Sequence, residues 1–391
     1  MSWNHRTTVL TSSAGIAAIL AVAALAVFRL SSPPTVTQAE MVGASLTGPV
    51  VGQGGQPLTR MAISPALVIT PNQLQIAWRR EMRARLHIRM GQKPLLIPVS
   101  ASVAKMWAAR HLAGVQVVKM KYWVPRADVP KSVLTMAAGP ELMASRRWVA
   151  HQGLWSPAEP RPMHVSLNYP LTRALAPLAK DGAIWVLQKN GQVLAAVGTQ
   201  RMLLHAAPVG LSALPPLLAE AASDAHLKTV LEGAGGIDAL AQKWGSGAER
   251  QALQNLGFGP ASLGVVNVQS PALPRSIDST LLTSGNGLSA APVQVARAYL
   301  PLLNSQGRLP ALSFGAPGAA TQRTGIKRGA QEDVLQALPR IKEDGIPFRI
   351  WRPAASPAVV VEAKGGTVAV LSSNVTAESL PVATVLAAHH A

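Results

Sequence analysis

A chain of 391 residues, 48% of them hydrophobic, can bury a sizeable core, so general disorder is excluded. It contains no cysteine, which removes disulfides, thiolate nucleophiles and cysteine-based zinc sites together. Thirty-six Lys and Arg stand against 18 Asp and Glu, a formal charge of +18 that fits an acidic partner: nucleic acid, anionic lipid or an anionic polymer.

In chain order, residues 1–8 form a short N-terminus expected on the cytoplasmic side. Residues 9–28 carry no charge between Arg6 and Arg29, and are long enough to cross a bilayer core of about 30 Å as a helix. We read them as a signal anchor; a signal cleaved after Ala24–Ala26 is the competing view. Everything after the anchor is then expected outside the cytoplasm, as a single-pass protein of the inner membrane. Residues 29–70, rich in Ser, Thr, Pro, Gly and Gln, read as a flexible stalk. Residues 71–160 read as a small mixed domain. It has a basic run, WRREMRARLHIR (Trp78 to Arg89), taken as a solvated helix face, and short apolar strands in PLLIPVSA and VQVVKMKYWV.

From residue 161 to 391 the pattern is denser. MHVSLN reads as a strand and LTRALAPLAK as a short helix. AIWVLQKNGQVLAAVG reads as a hairpin closed by Asn190-Gly191. Helical segments fill Leu211 to Gly257. Near the end, GNGLSAAPVQVARAYLPLLNSQGRLPAL combines a glycine turn with a helix opened by Pro292. Val293, Ala296, Leu300 and Leu303 form its apolar stripe, with Gln294 and Arg297 off it. The strand candidates AVVVEA and TVAVLSS follow. Strands, helices and strands again predict a mixed α/β domain whose sheet uses both ends of the segment.

These segments, in this order, resemble the transpeptidase domain of class B penicillin-binding proteins, the membrane-anchored enzymes that cross-link peptidoglycan. The likeness covers roughly Met163 to His390. It rests on MHVSLNYPLTRAL, AIWVLQKNGQVLAAV, ALAQKWGSGAERQALQNLGFGPASLGV and the glycine-turn helix, where Ala291 stands in place of a frequent Thr. The resemblance implies a penicillin-binding-protein-like fold, a sheet flanked by helices, behind the anchor and the small domain. It also implies a site built from Ser-x-x-Lys, Ser-x-Asn and Lys-Thr-Gly.

Here those positions are degenerate. With Gly210 on the family glycine, the nucleophile falls on Leu211 and its lysine on Leu214. A shift of one gives Ser212 but puts Pro215 at the base. The second motif falls on Glu232-Gly233-Ala234, and the third is partly kept as Lys364-Gly365-Gly366-Thr367; Arg323-Thr324-Gly325 comes too early. A rival site has the right letters: Ser102 and Lys105 in SVAK, then Ser166 to Asn168. It would place the nucleophile ahead of the first strand. His151 and His164 show no metal spacing and no phosphate loop appears, so no metal or cofactor is expected. The reading is a transpeptidase-like pseudoenzyme that binds cell-wall synthesis proteins or peptidoglycan rather than nucleic acid. Its alternatives are an active acyl-serine enzyme using Ser102 and Lys105, and a membrane-tethered basic module holding an anionic polymer.

Overall fold

The structure, a computed structural model, describes residues 38–41, 48–127, 129–138, 146–149, 153–157, 162–260, 268, 271–274, 287–317, 321–343, 345–353 and 356–389. The expected membrane segment, residues 9–28, lies outside these; among the described residues no helix is long and apolar enough to cross a membrane. The chain divides into two units. The first comprises residues 1–49, 61–124 and 140–161; the second comprises 50–60, 125–139 and 162–391.

The first unit is a closed six-stranded barrel. Its strands are β1 (Gln38–Met41), β2 (Thr59–Ile69), β3 (Leu95–Pro98), β4 (Val115–Pro125), β5 (Arg146–Val149) and β6 (Leu154–Pro157), in the order β1-β3-β2-β4-β6-β5. β2 and β3 are antiparallel with Leu67 opposite Ile97, while β1 runs parallel to β3 and β4 parallel to β6. Successive side chains of a strand point to opposite faces, and both faces are apolar here. Ala66 and Val68 pack with Leu96, Met120 and Trp155. Leu67 and Ile69 pack with Met82 of helix α1 (Ile76–Leu86) and Trp107 of helix α2 (Ala101–Ala108). α1 stops where His87 turns left-handed at φ 50°.

This corrects two expected boundaries. Residues 29–70 are not a stalk throughout, because Gln38–Met41 and Thr59–Ile69 are barrel strands and Leu67 and Ile69 are fully buried. A linker-like composition masked a strand whose two faces both find partners. Nor do residues 71–160 form a domain alone: the barrel borrows its first strands from residues before 71. Residues 125–139 belong with the second unit, as do 50–60, whose Val50–Val51 pairs in parallel with Met163–His164.

In the second unit, β7 (Ala183–Gln188), β8 (Val193–Gly198), β11 (Arg340–Glu343), β12 (Ile346–Trp351), β13 (Ala358–Glu362) and β14 (Thr367–Leu371) form one antiparallel sheet. Its order is β8-β7-β14-β13-β12-β11. Two further strands, β9 (Arg308–Pro310) and β10 (Thr321–Arg323), pair apart from it. On one face lie α3 (Tyr169–Leu175) and α9 (Ser379–His389), which cover Ile184, Val360 and Ala369. The other face carries α8 (Pro292–Leu303), which packs on β7 and β14. Helices α4 (Leu214–Ala222), α5 (Ala225–Glu232), α6 (Gly236–Trp244) and α7 (Ser246–Asn255) also belong to the unit, as do the helices Lys131–Ala138, Gln200–Leu204 and Arg328–Ala337. Strands covered on both faces read as unbroken apolar runs, hence AVVV and TVAVL.

α8 departs from its expected amphipathic reading: every residue from Pro292 to Leu302 is buried, Gln294 and Arg297 included. A helix buried all round needs partners for its polar groups. Gln294 accepts from the Ala291 N–H at 3.0 Å and donates to the carbonyls of Gly257 and Gly259. Arg297 Nε donates to Pro310 O at 2.7 Å, and burial pulls its guanidinium down to about 10, still charged at neutral pH.

Candidate functional site

The segment expected to bear the nucleophile is a 3-10 turn, Gly210–Ala213, running directly into α4. Its first carbonyl groups are held from two sides. Trp351 Nε1 donates to Leu211 O at 3.0 Å, and the buried Tyr299 hydroxyl donates to Ser212 O at 2.7 Å. Burial raises the Tyr299 phenol well above its ordinary range, so it stays a neutral donor. β12 and α8 therefore fix the start of α4. Neither residue was singled out from sequence, and no local pattern links Trp351 to a partner 140 positions away.

Leu211 is half-buried and lines a cleft of about 370 Å³ together with Ile341, Ile350, Trp351, Arg352 and Ser379. Leu214 is buried. Ser212, the one-residue shift, is fully buried and its hydroxyl donates to Val209 O, so it faces away from the cleft as a structural group. The hydroxyl that does line the cleft belongs to Ser379, which accepts from Arg352 Nη1 at 3.4 Å. A guanidinium does not act as a base at neutral pH, and among the described residues no Lys or His lines the cleft. What these residues can do is bind: an apolar wall with one cation at its rim.

No family model matches the chain, and no curated protein matches it either.

The remaining positions are not gathered around Leu211. Lys364 is exposed in the turn between β13 and β14. Trp351 pairs with Val359, three residues before the adjoining strand ends at Glu362, which places Lys364, in the turn beyond, about 10 Å or more away along the sheet. The letters Lys-Gly-Gly-Thr serve the turn itself. Gly365 N–H donates to Glu362 at 2.6 Å, and Gly366, at φ 70°, lies where a Cβ would stand 2.5 Å from Lys189 Cδ. Glu232 ends α5 exposed and pairs with Lys228 at 3.7 Å, and Ala234 is exposed in the turn that follows. Arg323-Thr324-Gly325 is also structural: Gly325 N–H donates to Glu220 of α4 at 2.8 Å.

Ser102 and Lys105 lie on α2 of the barrel, both exposed. The helix cap is Ser100, which accepts from Val103 N, and Ser102 Oγ meets Ser100 Oγ at 2.9 Å. Ser166 and Asn168 belong to the second unit and are engaged there. Ser166 is buried and donates to Val193 O; Asn168 caps α3. His151 lies outside the described residues. His164 is exposed, and among the described residues no His, Asp and Glu cluster could hold a metal.

Proposed function

We propose that this protein is a catalytically inactive relative of the class B penicillin-binding transpeptidases, anchored in the membrane by residues 9–28. It works by binding in or beside the cell-wall synthesis machinery. The observation that carries this reading is the surroundings of Leu211. The residue matched to the nucleophile is a leucine on an apolar cleft without a base, and the adjacent Ser212 hydroxyl is spent on a backbone carbonyl. Opening a β-lactam requires an activated hydroxyl, and losing nucleophile or base costs several orders of magnitude in rate. Intact-protein mass spectrometry after long incubation with penicillin should show no added mass, while the full chain is retained on isolated peptidoglycan. An adduct of one penicillin overturns the reading, and its loss in Ser102→Ala would establish the rival serine.

The charge of the barrel favours a second reading. Residues 61–124 hold ten Lys and Arg and a single acid, Glu81, as a tethered module for an anionic polymer would. Retention on cell wall or DNA that vanishes with added salt is its signature.

A further inference from the structure

At the end of the second unit's sheet remote from Leu211 there is another cleft, of about 480 Å³. One wall is the turn after β7, with Lys189 and Asn190. The other is the end of α8 and the start of β9, from Leu303 to Arg308. That volume lies inside the range of about 300–1,000 Å³ typical of small-molecule sites. Among the described residues its lining is cationic without compensation: Lys189 and Arg308 contribute charge, and none of the lining residues is a carboxylate. Neither cation makes an ion pair among the described residues; Arg308 Nη1 reaches only the neutral Thr321 Oγ1, at 3.3 Å.

Two more cations crowd the same end. Arg323 lies directly across from Arg308 in the β9–β10 pairing, and Lys364 sits in the turn against which Lys189 packs. Like charges opposite one another destabilise a strand pair, so the arrangement calls for an anion to offset it. Glu362, at the same end of the sheet, is buried and accepts from Gly365 N–H. The cleft is also preformed. Gly191 sits at φ 86° with room for no side chain, since a Cβ would stand 2.3 Å from Ala311 O. Asn304 is locked by bonds to Leu300 O and to the backbone of Arg308.

The rest of the lining narrows the ligand. Ser305 and Gln306 are exposed neutral hydrogen-bonding groups, and Pro310 and Pro317 offer flat apolar surface. Cations, neutral donors and apolar faces together suit a hydroxyl-rich ring carrying negative charge. We propose that this cleft binds a sugar anion, a monosaccharide unit bearing a phosphate or a carboxylate.

The site stands apart from the cleft at Leu211, so neither result decides the other. The test is isothermal titration of the full chain with glucose 6-phosphate, glucuronate, glucose and inorganic phosphate in turn. We expect saturable binding of glucose 6-phosphate or glucuronate, with whichever binds naming the charged group, and none of glucose. Lys189→Glu and Arg308→Gln should each weaken it at least tenfold. Lys342→Glu, the same charge change on the exposed edge strand β11, should leave it within twofold. Lys189 is exposed, so its variant keeps the test decisive even where Arg308→Gln unfolds the chain. Absence of binding by both sugar anions, inorganic phosphate binding as tightly as either, or an equal loss with Lys342→Glu would each overturn the proposal.

Discussion

The two units solve the problem of charge in opposite ways. Residues 61–124 of the barrel carry ten Lys and Arg against one acid, whereas residues 162–391 carry eighteen against thirteen. Within residues 61–124 the one acid, Glu81, is shared by Arg85 at 3.0 Å and Arg110 at 2.8 Å, and Arg110 also lies over the Trp78 and Trp107 rings. Other cations of this segment meet neutral groups instead: Arg79 Nε donates to Leu74 O, Arg83 Nη2 to Met90 O, and Lys121 lies over the Trp123 ring. The second unit takes polar groups inside and bonds several of them to its own backbone, as with Gln294, Tyr299 and Arg297 around α8. A surplus of exposed charge speaks of solubility, attraction and partners. Internal polar bonding speaks of a single well-defined core.

That contrast can be broken most forcefully at α8. Leu300 is fully buried, so Leu300→Asp should cost at least about 4 kcal/mol, because a buried carboxylate without a partner is among the most expensive of substitutions. Hydrogen exchange should show the second unit opening. A variant that melts with the parent would remove α8 from the core. Gln294→Ala comes next. It leaves the Gly257 and Gly259 carbonyls and the Ala291 N–H unpaired, at an expected cost of about 3 kcal/mol. A loss below about 1 kcal/mol in denaturant titration would mean that water replaces the side chain.

Glu220 sharpens the comparison through pH. Burial raises its carboxyl above the ordinary 4.5, against smaller opposing effects from Asn255 and Gly325. Its Oε2 is buried and has no hydrogen-bond partner among the described residues. A raised folded-state pKa means the folded chain holds the proton more tightly. The stabilisation is complete below 4.5 and is lost as pH rises through the higher folded value. Relative to Glu220→Gln, the parent should therefore lose melting temperature as pH climbs above 4.5. Parallel curves for the two proteins would count against it. The smallest effect belongs to the barrel. Glu81→Gln should cost about 1 kcal/mol, as for a partly exposed ion pair, and more at about 20 mM than at about 500 mM salt, between which the Debye length falls from about 20 Å to about 4 Å. A salt-independent loss would assign Glu81 a packing role instead.

Some of this was legible in the residues alone, because it is local. Asn190-Gly191 marks its hairpin by turn chemistry, and Pro292 opens a helix that runs to Leu303. The apolar runs at 358–362 and 367–371 are strands because only a doubly covered sheet suits such sequences. The absence of a paired serine and lysine at residues 211–215 is likewise plain from the letters. Only the tertiary structure decided the rest. Strand pairing between distant segments took residues 38–41 and 59–69 from an apparent linker into a barrel. Packing, rather than helical periodicity, buried Gln294 and Arg297. Sheet register carried Lys364 away from Leu211, into a turn whose Gly366 packs against Lys189. Local backbone preferences act over a few residues and are written where they act. Register and burial depend on which remote surface arrives opposite, and no single segment holds that information.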